Sequence, residues 1–124
     1  MLLNQYLPAL KVQISHLVLC MIWNAVGVVQ IAYGIQSIGP VASIAAIIVM
    51  MLFSALLYFS LKKGLEKTYL LASVLPALLA VMTIYGAFTN DPSLWPAEFW
   101  RYAGAVVNSV GFIGFAMLVK IKAK

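Results

Sequence analysis

The chain has 124 residues, 65% of them hydrophobic and 9% charged, with a formal net charge of +5. An average soluble domain carries about 25% charged residues, so this composition excludes a separate soluble domain. The placement of the basic residues excludes nucleic acid as their partner, and the single cysteine, Cys20, excludes an internal disulfide or a paired-thiol redox motif.

What remains is one transmembrane domain over residues 1–124: an all-α polytopic membrane protein, an antiparallel bundle of four transmembrane helices. The apolar stretches predict spans near residues 13–36, 41–61, 68–88 and 98–119. Each is about 20 residues or longer, enough for a helix to cross a hydrocarbon core of roughly 30 Å. None has the polar face that a helix of a soluble bundle requires.

Residues 1–10 place Leu2, Leu3, Tyr6, Leu7 and Leu10 at helical spacing. With Pro8 interrupting, they are expected to lie along the cytoplasmic surface or to fray before the chain turns inward. The first span runs unbroken past Cys20, and Leu19 is too bulky for a lipoprotein cleavage site, so it is expected to be retained as a helix with an inert thiol and no cleavable signal. A short break at residues 36–40 predicts a tight hairpin, Gly39 ending one helix and Pro40 opening the next.

The second helix is almost without polar residues and is expected to be the most lipid-exposed. Its end, Lys62-Lys63-Gly64, offers a glycine suited to a helix C-terminus. The third helix carries Ser73, Pro76, Ala77, Ala80, Thr83 and Ala87 at spacings of three and four, a stripe that lets backbones approach closely, with a kink at Pro76. In the third break Asp91-Pro92 predicts a turn, and Trp95, Trp100, Tyr33, Tyr85 and Phe88 an interfacial aromatic belt. Tyr33-Gly34 and Tyr85-Gly86 each close an outward-running helix, the only hint of a duplicated hairpin; interfacial tyrosine and terminal glycine explain both without duplication.

Orientation follows from the lysines. Lys11, Lys62, Lys63, Lys67, Lys120, Lys122 and Lys124 fall on one side and Arg101 alone on the other, with Asp91 and Glu98. This predicts cytoplasmic N- and C-termini in a bacterial inner membrane.

Polar residues within spans carry the functional expectations. On the first helix His16, Cys20, Asn24, Gly27, Gln30 and Gly34 share a face, and on the fourth Arg101, Gly104, Asn108 and Gly111 do so. Equal depth predicts an Asn24–Asn108 contact at the bilayer centre, with Gln30, Tyr33, Glu98, Arg101 and Tyr102 clustered above it. His16 is expected to meet only Phe115, Ala116 and Met117. Arg101 has a simpler role available, pairing with Glu98 three residues back.

Catalysis is not expected. The acids Glu66, Asp91 and Glu98 all lie at loops or helix ends, the one histidine offers no metal cluster, and Ser15 and His16 point about 100° apart on their helix. No cofactor is implied. The leading expectation is an accessory or assembly subunit, or a homo-oligomer, associating through the stripes of helices one and four, with the lipid bilayer and itself or another membrane protein as partners. The alternatives are a small-molecule or ion channel or carrier with an externally opening polar path, and a bundle that binds lipid or an apolar ligand.

Overall fold

A computed structural model describes residues 1–124. It contains α1 (Leu2–Ala32), α2 (Ile44–Lys62), α3 (Glu66–Thr89) and α4 (Glu98–Lys122), with a 3₁₀ turn at Pro92–Leu94. All four α-helices are long and apolar enough to span a membrane. They alternate in direction around a ring: α1 packs on α2 and α4, and so does α3, with α1–α4 the most extensive seam and α2–α3 the least. Both termini therefore lie at one end of the bundle, with the lysines; Arg101 marks the other end.

The first helix departs from expectation at both ends. Residues 2–10 do not lie apart from the bundle but form the opening turns of α1, with Pro8 inside the helix. A proline there removes one hydrogen bond and crowds the preceding turn. That loss is outweighed locally because Tyr6, Ala9 and Leu10 are all buried. At 31 residues α1 is about 46 Å long, longer than a hydrocarbon core of about 30 Å, so part of it lies beyond the acyl-chain region.

The helix then stops at Ala32 rather than continuing to residue 36. Gly34 takes φ 71°, the left-handed conformation that glycine adopts without strain. Its N–H donates to the Ile31 carbonyl at 3.0 Å and that of Ile35 to Gln30 at 2.9 Å, closing a Schellman motif. Gly64 (φ 73°) ends α2 in the same way, with Leu65 N–H donating to Ser60 at 2.8 Å. Gly86, by contrast, lies inside α3. The two Tyr-Gly pairs are therefore not equivalent, and the hint of duplication fails.

The first connection is a folded loop over residues 33–43, not a tight turn at 36–40. Ser43, extended at φ −152°, caps α2 by accepting from the Ala46 N–H at 3.0 Å, so Pro40 lies outside the helix. Ser37, Ile38 and Gly39 are buried against the bundle. Within the 3₁₀ turn Asp91 Oδ1 accepts from the Ser93 N–H at 2.9 Å.

The core sits at one end. Tyr6, Ala9, Leu10, Leu17, Leu57, Leu61, Tyr69, Ala72 and Leu118 form a single buried cluster, all from the lysine-bearing half. Polar clasps reinforce it. Tyr6 Oη donates to Glu66 at 2.5 Å, and Lys122 pairs with the same carboxylate at 2.9 Å, tying α1, α3 and α4 together. Tyr69 Oη donates to Gln13 Oε1 at 2.6 Å, while Gln13 Nε2 donates to Ser73 Oγ at 2.9 Å. The rings of Tyr6 and Tyr69 lie 5.2 Å apart. The opposite half has no such cluster.

Candidate binding cavity

In that opposite half the helices diverge around a cavity of about 450 Å³ lined from all four of them, within the size range of small-molecule sites. Its lysine-side floor includes His16, Phe53 and Pro76, and Trp95 and Arg101 stand near its far end. Pro76 lies where α3 passes from the packed core to the cavity wall. The missing N–H of a proline weakens the helix there and permits a bend.

The α1–α4 wall is built by bulky side chains of α1 set against glycines of α4. A Cβ on Gly114 would lie 3.0 Å from Gln13 Cγ, one on Gly111 2.6 Å from the His16 imidazole, and one on Gly104 3.3 Å from the Trp23 indole. The pairings Gln13–Gly114, His16–Gly111 and Trp23–Gly104 fix an antiparallel register. The glycine stripe expected as an association surface thus faces inward and is occupied by α1 of the same chain.

This register corrects the expected pairing. Asn24 and Asn108 do not hydrogen-bond to each other. Because α1 ends at Ala32, Asn24 lies about two turns from its end, whereas Asn108 lies near the middle of α4. Asn24 Nδ2 donates to the Cys20 carbonyl at 2.8 Å and its Oδ1 accepts from the Ser43 N–H at 3.2 Å, fastening the loop to α1. Asn108 Nδ2 donates to Gly104 at 2.9 Å, and its Oδ1 lies 3.4 Å from His16 Nε2. His16 accordingly meets Asn108 and Gly111, more than a turn from Phe115, Ala116 and Met117. Both amides nonetheless line the cavity, as do His16, Cys20 and Arg101.

Nor does the external cluster assemble as expected. Gln30 turns to the loop, its Oε1 accepting from the Ile38 N–H at 2.8 Å. Tyr33 is 78% exposed and away from the cavity. Glu98, Arg101 and Tyr102 do come together on α4, where Arg101 Nη2 donates to Glu98 and the guanidinium lies 5.4 Å from the Tyr102 ring and 5.5 Å from that of Phe88. Trp95 leaves the expected aromatic belt and is buried at the cavity margin.

Cys20 Sγ lies 3.3 Å from His16 Nε2, the same nitrogen that faces Asn108. A thiol–imidazole–amide relay needs its two partners on opposite ring nitrogens, and here they share one. Sequence reasoning gave Thr83 and Ser73 to a packing stripe, whereas Thr83 lines the cavity and Ser73 accepts from Gln13, and it missed Trp23 and the Gln13–Tyr69 pairing. Trp23 carried a usable signal, because a tryptophan deep within a span is not in the interfacial position that the residue favours.

Compared with protein-family profiles, curated proteins and solved structures, the chain has no match.

Proposed function

We propose that this protein is a non-catalytic, membrane-embedded binding protein for a small amphipathic molecule, which occupies the cavity between the four helices. The observation that carries this reading is the cavity itself: about 450 Å³, mostly apolar, with a few polar groups from different helices converging on it. The lysine distribution supports cytoplasmic termini in a bacterial inner membrane, with the cavity in the outer half.

The accessory-subunit or homo-oligomer reading relied on a free stripe of Gly104, Asn108 and Gly111, and those residues are engaged by α1. A channel needs a continuous path, whereas the floor of the cavity rests on the packed core. Binding is the reading that uses what is built.

The test uses purified protein in phosphatidylcholine nanodiscs, titrated with ω-bromoundecanol, ω-bromoundecanoate and ω-bromoundecylamine. Bromine quenches indole emission, and Trp23 and Trp95 line the cavity. Saturable quenching by at least one probe, lost in a folded Thr83→Phe variant that fills the cavity, is the expected result. Only linear, collisional quenching by all of them, unchanged in Thr83→Phe, overturns the reading. Reporter fusions at either terminus that read as external overturn the orientation.

A further inference from the structure

The chemistry of the occupant can be taken further, resting on the binding reading above. Arg101 sits in the opening turns of α4, yet its side chain is only 12% exposed. Phe88 of α3 and Tyr102 flank the guanidinium, and Nη2 donates to Glu98. The Nε atom is fully buried and has no hydrogen-bond partner anywhere in the chain. A buried N–H on a charged group without an acceptor is unfavourable, and the natural partner is an anionic oxygen, which an arginine fork receives well. Glu98 supplies one such contact, but its side chain is 65% exposed and well solvated. Arg101 thus retains donor capacity beyond its contact with Glu98, and it is one of the residues that line the cavity.

The remainder of the wall specifies the other part of the molecule. Met50 and Phe53 of α2 and Leu79 and Met82 of α3 line the cavity. Leu79 and Met82 are also 44% and 65% exposed, so they belong to both the cavity wall and the accessible surface of the bundle. The neighbouring seam is α2–α3, the least closely packed of the ring. Elsewhere around the cavity Trp23 of α1 packs on Gly104 of α4, Phe88 of α3 on Tyr102 of α4, and Gly27 of α1 against Ala42 of the loop that leads into α2. In a membrane, the medium outside α2–α3 is the acyl-chain region.

We propose that the cavity takes a single-chain amphiphile with an anionic head, a carboxylate or phosphate monoester, seated head-first on Arg101 with its chain lying in the α2–α3 seam against the bilayer. The polar α1–α4 wall, where His16 and Asn108 already pair, lies across from the chain. Glu98 competes with the head for the guanidinium and sets how tightly it is held.

The experiment compares ω-bromoundecanoate with ω-bromoundecanol at equal mole fraction in the nanodisc bilayer, with acetate, added as a competitor, as the chainless anion. A charge-assisted hydrogen bond predicts that the carboxylate binds about tenfold more tightly than the alcohol. Arg101→Gln abolishes that preference, Arg101→Lys keeps part of it, and Glu98→Gln strengthens it. Decyl phosphate competes with the bound carboxylate, whereas inorganic phosphate does not.

Equal binding of acid and alcohol, or a preference unaltered in Arg101→Gln, overturns the anionic head while leaving the binding function standing. Acetate or inorganic phosphate competing as effectively as an unbrominated long-chain acid overturns the seated chain. Saturable binding of no probe removes this inference and the function beneath it together.

Discussion

His16 and Gly111 face each other across the α1–α4 seam so closely that a Cβ on the glycine would stand 2.6 Å from two imidazole atoms and 2.9 Å from the Cγ that anchors the ring. Movement of the far edge of the ring cannot relieve that overlap. Gly111→Ala is expected to destabilise the bundle by about 1–3 kcal/mol, the usual range for overpacking. His16→Ala in the same chain should restore most of the loss. Unfolding titrations in mixed micelles of the two single variants and the double variant give the coupling, and additivity would contradict the contact.

The clasp of Gln13, Tyr69 and Ser73 predicts a second coupling. Gln13→Leu leaves the buried Tyr69 hydroxyl without its acceptor and is expected to lower stability by about 1–2 kcal/mol. Adding Tyr69→Phe removes the orphaned hydroxyl and should recover part of that loss. The same unfolding titrations, run as a double-mutant cycle, measure it.

Gly34 and Gly86 follow tyrosines in the same way but should respond oppositely to alanine. At Gly34 the backbone is left-handed, so Gly34→Ala is expected to cost about 1 kcal/mol despite the open space around it. At Gly86 the backbone is helical and the nearest neighbour of an added Cβ is the flexible Asn90 amide at 3.2 Å. There Gly86→Ala should be neutral or stabilising, by up to about 1 kcal/mol. Melting temperatures of the two variants, compared in one detergent, decide the matter.

Asp91 is expected to give the 3₁₀ turn at Pro92–Leu94 an acid-sensitive hold. Its carboxylate accepts from the Ser93 amide, and that bond holds its pKa below the ordinary carboxylate value. A lowered folded-state pKa means that the contribution is present above the unfolded pKa and is lost as pH falls through the folded one. Amide exchange at Ser93, corrected for the intrinsic pH dependence, should show protection at neutral pH that disappears on acidification. Asp91→Ala should remove the protection at every pH.

How much of this was legible in the sequence differs from residue to residue. The four helices were, because long apolar runs leave a helix as the only unstrained way to satisfy the backbone in lipid. Gly64 was also legible, since a glycine at the end of such a run marks a helix stop. The length of α1 was not. Its apolar pattern continues through Ile35 and Ile38, and only the left-handed Gly34 ends it, while burial of Tyr6 and Leu10 carries the helix through Pro8. That shift moved Asn24 away from Asn108. The partners of Asn24 and Gln30 were hidden for a different reason. They are backbone amides of a returning loop, at Ser43 and Ile38, and helical periodicity says nothing about where a loop folds back. The cavity, a property of four helices packed together, has no signature in any one of them.

Because the buried cluster from Tyr6 to Leu118 occupies only the lysine-bearing half, the bundle is jointed at one end like a pair of tongs. On the proposed binding reading, the halves of α2 and α3 beyond Phe53 and Pro76 are the parts that would tilt about that joint, since they lie outside the buried cluster. On that reading a guest would enter from one leaflet while the packed end closes the bundle across the other. Admission and sealing fall to opposite ends of the same four helices.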